Sequence, residues 1–199
     1  MNRTHDAMTL CLQTMLRCGG MMTSREEVGC FRGVAPDNNR RPDLSIYNLP
    51  SHARKVICDV SITCPVPTTE EGNLSKNCAL QIGRAAEAAK RMKVSKYGEL
   101  AAGSQLEFLP LIFESTGRME SITMDLVATT VRQMSRGDDV VYNALRRYWD
   151  ARISFCLQKM LADAILKRSD DINGRLTKQS RYELSHAFVL AHDVIHGHF

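Results

Sequence analysis

The sequence feature that most constrains this chain is one acidic residue, Asp59, inside an otherwise apolar segment. The surrounding run, Val56-Ile57-Cys58-Asp59-Val60-Ser61-Ile62, is rich in β-branched and apolar residues and predicts a central strand. A central strand is buried on both faces, and a buried carboxylate is costly unless it pairs with a cation or binds a metal. Either a metal site or an ion pair, for example with Arg84, is therefore expected at Asp59.

A second acidic residue, Asp43, lies 16 positions earlier in Arg41-Pro42-Asp43, at the start of a segment that alternates like a strand. If the two strands form a hairpin, Asp43 and Asp59 come side by side. Two carboxylates that share a site repel each other, and a divalent cation relieves that repulsion. Oxygen ligands favour Mg²⁺ or Mn²⁺ over zinc. The alternative is that Asp43 is only a turn residue after Pro42.

A row of lysines provides the third element of a possible site. Lys93 and Lys96 are three residues apart on a predicted helix, so they share a face, and Lys90 extends the row. A lysine near two metal-binding carboxylates can orient an attacking water or neutralise charge on a phosphate. The alternative is a solvated helix face, which is the usual role of such a row.

The remaining pattern predicts an α/β protein with a mixed central β-sheet flanked by helices and a helical C-terminal extension. Extended structure is expected over 21–32, and polar turns or loops are expected over 37–41 and 68–76. The predicted order is a helix, three strands, a helix, a strand and further helices. Helices are expected over 5–17, 78–101, 119–135 and 140–168, and the clearest strands over 42–47, 55–63 and 106–114.

Composition narrows the class of protein. No apolar run reaches 18 residues, which argues against a membrane span, and the first 20 residues make a poor signal peptide. The seven cysteines are odd in number and form no CxxC pair, so we expect most of them to be buried thiols in a reducing, intracellular compartment. The formal net charge of +4 permits a nucleic-acid partner without requiring one.

The ordered string RPDLSIYN, KVICDVSITCP, AAKRMKVSKYGEL and LEFLPLIFESTGRM resembles the restriction-endonuclease-like superfamily, the PD-(D/E)XK nucleases. More narrowly, it resembles the endonuclease-type region C-terminal to the reverse transcriptase of certain non-LTR retrotransposons. The likeness runs from about residue 5 to residue 168. It implies a metal-dependent DNA endonuclease that hydrolyses phosphodiester bonds, with DNA as the partner, RNA or a reverse transcriptase domain as further partners, and a nuclear location.

The resemblance also implies roles for individual residues. Asp43 and Asp59 are expected as ligands of Mg²⁺ or Mn²⁺, and the backbone carbonyl of Val60 completes the metal shell. Lys93 or Lys96 is expected to replace the strand lysine of the superfamily, because this chain has Ser61 at that position. The superfamily often carries an acid on its first helix. This chain offers only His5 and Asp6 there, and neither is predicted to be a ligand.

These expectations divide the chain into a restriction-endonuclease-like core over 1–118, a helical extension over 119–168 that packs on the core, and a linker and short helical tail over 169–199. The rival to an endonuclease is a non-catalytic nucleic-acid-binding or assembly module that keeps the nuclease fold. A purely structural domain is a third possibility. Metal binding discriminates the first two, since only the catalytic site needs Mg²⁺ or Mn²⁺.

Other candidate residues have simpler explanations. Glu114 ends a predicted strand, and a strand end that leads into a turn is favoured over a site residue. Trp149 is expected in the core. Residues 132–168 contain eight Lys or Arg and four Asp, a net charge of +4 that suits phosphate contact or a solvated face. The spacing of His192 and His196 is taken as incidental, because Asp193 replaces the Glu of a HExxH motif.

Overall fold

The elements follow one another in the order that the sequence predicts. The structure is a computed structural model that describes residues 3–35, 40–50, 52–65 and 81–173. Its helices and strands, in chain order, are α1 (Arg3–Cys18), β1 (Thr23–Arg25), β2 (Leu44–Ile46), β3 (Val56–Thr63), α2 (Arg84–Gly103), β4 (Glu107–Glu114), α3 (Ser121–Ser135) and α4 (Asp139–Asn173). The described part of the chain is therefore α/β, with a four-stranded sheet and four helices.

The sheet is mixed and open, with the strand order β1-β2-β3-β4. The first three strands pair antiparallel, and β3 pairs parallel with β4. The parallel pair is joined through α2, since parallel strands need a long crossover. The apolar strand β3 is interior, as its sequence predicts. Pro110 has no N–H to donate and is accommodated because β4 is an edge strand.

One face of β3 and β4 packs against α2. Ala86 and Ala89 of this helix contact Ile112, and one helical repeat further along Tyr97 packs with Ile57. Because β-strand side chains alternate between faces, Asp59 lies on the same face as Ile57. The other face meets α1 and α3, which contact β3 and β4 respectively. Both faces are thus covered, which is why the strand is apolar at almost every position.

Two boundaries differ from the sequence-based prediction. Only Thr23–Arg25 of the predicted extended segment 21–32 is a strand, and turns follow from Val28 to Val34. Gly29 has a φ of +82°, which ends any extended run there. Helix α2 begins at Arg84 rather than near residue 78, because Gly83 has a φ of +82° and lies outside the helix. Residues 66–80, which include the predicted loop 68–76, lie outside the described residues.

The helical region after β4 contains α3 and the 35-residue helix α4, separated by Arg136 and Gly137 in the left-handed region. Trp149 is buried, as predicted. The chain forms two compact units, Met1–Gln158 and Lys159–Phe199, and α4 contributes residues to both. The predicted domain boundaries at 118/119 and 168/169 stay predictions. Most of the predicted tail, including His192 and His196, lies outside the described residues.

The cysteines only partly follow the prediction that most are buried. Cys11 and Cys58 are buried, but Cys18 and Cys64 are exposed because they end α1 and follow β3. No disulfide joins any of the described cysteines, and Cys78 is not among them. Within the described ranges, no helix has the length and apolar character needed to cross a lipid bilayer.

Candidate functional site

The pairing of β2 with β3 brings the two predicted acidic residues together. Leu44 pairs with Cys58 in the antiparallel register, so the next position on each strand places Asp43 opposite Asp59. Residues opposite each other on antiparallel strands have Cβ atoms about 5 Å apart. The predicted hairpin is confirmed.

The carboxylate of Asp43 is tied to both the neighbouring strand and the first helix. Its Oδ2 accepts a hydrogen bond of 2.6 Å from the backbone N–H of Val60. The same oxygen lies 3.0 Å from Nε2 of His5, and that nitrogen also lies 3.0 Å from the carbonyl oxygen of Val60. A protonated Nε2 would share one N–H between these two acceptors. Asp43 is therefore more than a turn residue, because it joins α1, β2 and β3.

The carboxylate of Asp59 is buried, with 6% of the residue exposed. Nζ of Lys93 lies 2.6 Å from its Oδ2 and forms an ion pair with it. In the described part of the chain no group donates a well-oriented hydrogen bond to this oxygen. Arg84, the partner suggested by the sequence, instead donates to Gln81. A buried carboxylate whose Oδ2 relies on one flexible ammonium is poorly neutralised, so it retains the capacity to bind a cation.

The three lysines of the predicted row have different surroundings. Lys93 reaches Asp59, whereas Lys90 forms a 2.8 Å ion pair with Glu120 at the start of α3. Lys96 is exposed, and its Nζ lies 4.8 Å from the centre of the Tyr97 ring. Of the two predicted catalytic lysines, only Lys93 contacts an acidic residue of the site. Residues three apart on a helix differ by about 60° in direction, which is enough to separate the two side chains.

Tyr97 connects the lysine helix to the acidic residues. Its ring packs against Phe31 and Phe108, and the residue is 5% exposed. Burial raises the pKa of the Tyr97 hydroxyl, and the charge of Asp59 raises it further. The guanidinium of Arg40 lies 5.9 Å from the ring centre and donates a hydrogen bond to the carbonyl of Lys96. Arg40 and Lys96 thus place positive charge at the Tyr97 side of the site.

His5 is the site residue that the sequence-based prediction missed. The pKa of His5 is raised, chiefly by the hydrogen bond to Asp43, while partial burial acts to lower it. A sequence signal was available: His5 precedes the buried residues Met8, Leu12 and Met15 by 3, 7 and 10 positions. A polar residue in line with the apolar stripe of a helix is directed towards the protein interior. Its partners could not be read from that pattern.

Glu114 belongs to a different part of the structure. Its carboxylate is buried and its Oε1 accepts a hydrogen bond of 3.2 Å from the backbone N–H of Ala86, in the first turn of α2. Glu114 pairs with Thr63, four residues beyond Asp59 on β3, which is about 13 Å along the strand. The preferred prediction, a strand end that leads into a turn, is confirmed, and the side chain also satisfies the N-terminus of α2.

The donor set suits a hard divalent cation. Two carboxylates and one backbone carbonyl, from Asp43, Asp59 and Val60, are the oxygen ligands that Mg²⁺ and Mn²⁺ accept. Oδ2 of Asp59 is held by the ammonium of Lys93 at 2.6 Å, so a cation would have to displace that ammonium to bind this oxygen. Among the described residues, however, no three side chains of His, Cys, Asp or Glu have the spacing of a formed metal centre. The side chain of His5 contacts the oxygens of Asp43 and Val60, and Lys93 contacts that of Asp59, so both side chains would share the site with a metal or move away.

Comparison with protein-family models, with characterised proteins and with solved structures finds no match for this chain.

Proposed function

We propose that this protein is a metal-dependent DNA endonuclease of the restriction-endonuclease-like superfamily, of the type found with the reverse transcriptases of non-LTR retrotransposons. The observation that carries the proposal is the buried carboxylate of Asp59 with the ammonium of Lys93 at 2.6 Å. Asp43 lies opposite Asp59 in the continued register of β2 and β3. An acidic pair with an adjacent lysine can hold a metal ion and stabilise the charge that develops when a phosphodiester is hydrolysed.

Each residue has a proposed role. The carboxylates of Asp43 and Asp59 and the carbonyl of Val60 would hold Mg²⁺ or Mn²⁺. When bound, such a cation supplies a water of lowered pKa and charge neutralisation at the phosphate. Lys93 would turn its ammonium from Asp59 towards the phosphate, where it neutralises charge that develops as the bond breaks. We assign Lys96 to binding of the phosphate backbone, because it is exposed and lies on the ring of Tyr97.

The proposed DNA-binding surface is the basic edge around Tyr97, formed by Arg40 and Lys96. Cations near the acidic pair would offset its repulsion of a phosphate. On α4, several basic residues already have intramolecular partners. Arg146, for example, pairs with Asp150 at 2.8 Å. We therefore expect α4 to contribute less to DNA binding than its net charge suggests. Binding of RNA or of a reverse transcriptase domain is part of the same proposal.

A non-catalytic nucleic-acid-binding module is the second candidate, and one observation favours it. Asp43 Oδ2 already accepts the N–H of Val60 and contacts His5, and Asp59 already pairs with Lys93. Each carboxylate therefore has a partner without a metal. In that case the acidic pair would join α1, α2 and the sheet, and the protein would bind nucleic acid through its basic edge.

The test is a plasmid-nicking assay with purified protein in Mg²⁺, in Mn²⁺ and in EDTA. Asp59→Asn and Asp43→Asn remove one charge each at nearly constant shape. Asp125→Asn, at an exposed position on α3, is the matched control. We expect metal-dependent nicking by the wild type and the control, and a loss of at least ~100-fold in the two site variants, as for groups that act on the transition state. Nicking that survives in both site variants would reject the assignment. No nicking by folded wild type in any metal would favour the non-catalytic module.

A further inference from the structure

We propose that His5 is a direct ligand of the metal, so that the site is a mixed nitrogen and oxygen centre that prefers Mn²⁺ to Mg²⁺. The inference rests on the proposed metal site and adds a ligand that the resemblance did not predict. It starts from one nitrogen, Nε2 of His5, which lies 3.0 Å from Oδ2 of Asp43 and 3.0 Å from the carbonyl oxygen of Val60.

The two distances from Nε2 of His5 match the separation of neighbouring ligand atoms in an octahedral metal shell. Metal–ligand bonds of about 2.1 Å that meet at a right angle separate the two ligand atoms by about 3.0 Å. Nε2 has that separation from both oxygens. A hydrogen bond has the same length, so the ring can donate to the two oxygens without a metal and bind the same ion as they do when it is present.

The other side of the ring also suits a metal ligand. Imidazole ligands usually have a carboxylate near the second ring nitrogen, which fixes the orientation of the ring. Nδ1 of His5 lies 3.9 Å from Oδ1 of Asp6, and Arg25 lies 3.9 Å from the same carboxylate oxygen. The 3.9 Å separation is an electrostatic contact and exceeds a hydrogen bond. Asp6 and Arg25 therefore place a carboxylate and its counter-charge near the outer nitrogen of the proposed ligand, without a hydrogen bond to it.

A purely structural His5 would have the same contacts, so the two roles must be separated by the metal. An imidazole changes which metal the site prefers. Mg²⁺ favours a shell of oxygen atoms, whereas Mn²⁺ and the later divalent ions accept an imidazole nitrogen. A structural hydrogen bond to Asp43 would support the site equally for both ions. The ratio of Mn²⁺ to Mg²⁺ affinity is therefore the property that identifies a ligand.

The experiment measures Mn²⁺ binding to the full chain by electron paramagnetic resonance, at one pH well above the ordinary histidine pKa of about 6.5. Mg²⁺ affinity is obtained by competition. The proteins compared are the wild type, His5→Ala, His5→Gln and Asp43→Asn. Spin-echo modulation detects a nitrogen bonded to Mn²⁺, and a signal absent from both His5→Gln and Asp43→Asn belongs to this site rather than to another histidine. Circular dichroism checks that each variant is folded, and His5→Gln serves if His5→Ala is not.

We expect the wild type to show the nitrogen signal, and the His5 variants to lose it together with ~10-fold or more of their Mn²⁺ affinity while Mg²⁺ affinity changes less than ~3-fold. A Mn²⁺ site that Asp43→Asn removes but that shows no nitrogen signal would overturn the His5 inference and leave the proposed nuclease intact. Equal losses of Mn²⁺ and Mg²⁺ affinity would also overturn it, because they indicate structural support. No metal binding by the wild type would reject the metal site itself, and the His5 inference with it.

Discussion

Nζ of Lys93 lies 2.6 Å from Oδ2 of Asp59, and this ion pair joins the helix α2 to the interior strand β3. The lysine side chain is 25% exposed and the aspartate side chain 9%. The pair is thus asymmetric: Lys93 can turn its ammonium to solvent or to a substrate, but Asp59 cannot leave the interior. Removal of the Lys93 ammonium should therefore lower the free energy of unfolding more than removal of the Asp59 carboxylate. A bound metal could take the place of that ammonium.

This asymmetry predicts the behaviour of Lys93→Met. In EDTA the variant leaves an unpaired buried carboxylate, so we expect its free energy of unfolding to fall by about 2–4 kcal/mol. Lys96→Met, whose lysine is exposed, is the control and should change it by less than about 0.5 kcal/mol. Urea denaturation of both variants measures the difference. If the two lysines act alike, Asp59 does not depend on Lys93.

The same relationship predicts that a divalent metal stabilises the folded protein. A ligand that binds only the folded state raises the free energy of unfolding, by about 2.7 kcal/mol at 100 times its dissociation constant, and therefore raises the midpoint of thermal unfolding. Mn²⁺ or Mg²⁺ should raise the melting temperature of the wild type and should not raise that of Asp59→Asn. The measurement is differential scanning calorimetry with and without EDTA. An equal metal effect in both proteins would place the metal elsewhere in the chain.

A second ion pair, away from the site, predicts a pH dependence of stability. Nζ of Lys55 lies 2.5 Å from Oε1 of Glu27, and Tyr47 donates to the other carboxylate oxygen. Burial opposes ionisation of Glu27, but these hydrogen bonds outweigh it and lower its pKa to about 2. A lowered folded-state pKa contributes stability above the ordinary pKa of about 4.5, and this contribution is lost as the pH falls towards 2.

Lys55→Met should therefore lower the free energy of unfolding by about 1–2 kcal/mol at neutral pH and by much less near pH 2. Urea denaturation across this range measures the change. The double variant Lys55→Met with Glu27→Gln should recover part of the loss, since no unpaired charge remains. A difference between the wild type and Lys55→Met that stays constant down to pH 2 would show that packing, and not charge, is responsible.

The contacts at the start of α3 predict that Glu120→Ala lowers the free energy of unfolding. One oxygen of Glu120 accepts the backbone N–H of Ile122 at 2.8 Å, and the other accepts Lys90 at 2.8 Å. Loss of the cap and of the cation partner should lower the free energy of unfolding by about 2 kcal/mol. Glu120→Gln keeps an acceptor for the cap and should lose about half as much. If Gln and Ala cost the same, the charge on Glu120, rather than the cap, stabilises this helix.

The basic edge around Tyr97 predicts salt-dependent DNA binding. Each phosphate contact that a variant removes should lower the slope of log affinity against log salt by about 0.9 for duplex DNA. We expect Lys96→Ala to lower this slope by about 0.9, the value for one phosphate contact, without loss of stability. Arg91→Ala, at an exposed position on the same helix, is the comparison. Fluorescence anisotropy with a labelled duplex measures both slopes, and equal slopes for wild type and Lys96→Ala would exclude Lys96 from the interface.

The order of elements followed from the sequence because each depends on local pattern. The apolar run around Asp59 required burial on both faces, and the helical spacing of Leu126, Val127 and Val131 required one apolar face. The exceptions were local too. Gly29, with a positive φ, lies in the turns where extended structure was predicted, and Gly83, also with a positive φ, precedes α2, which begins later than the side-chain pattern predicted.

The sequence by itself determined that Asp59 is buried in an interior strand and that it needs a cation. Only the tertiary structure decided which cation, since Arg84, Lys93 and Lys96 all lie on or near the helix that covers the strand. The choice of Lys93 follows from how α2 crosses β3, and the contact of His5 with Asp43 and Val60 follows from where α1 crosses the same strand. Such contacts join residues as many as 55 positions apart. Local pattern specifies which side chains face inwards, but crossing geometry specifies which of them meet.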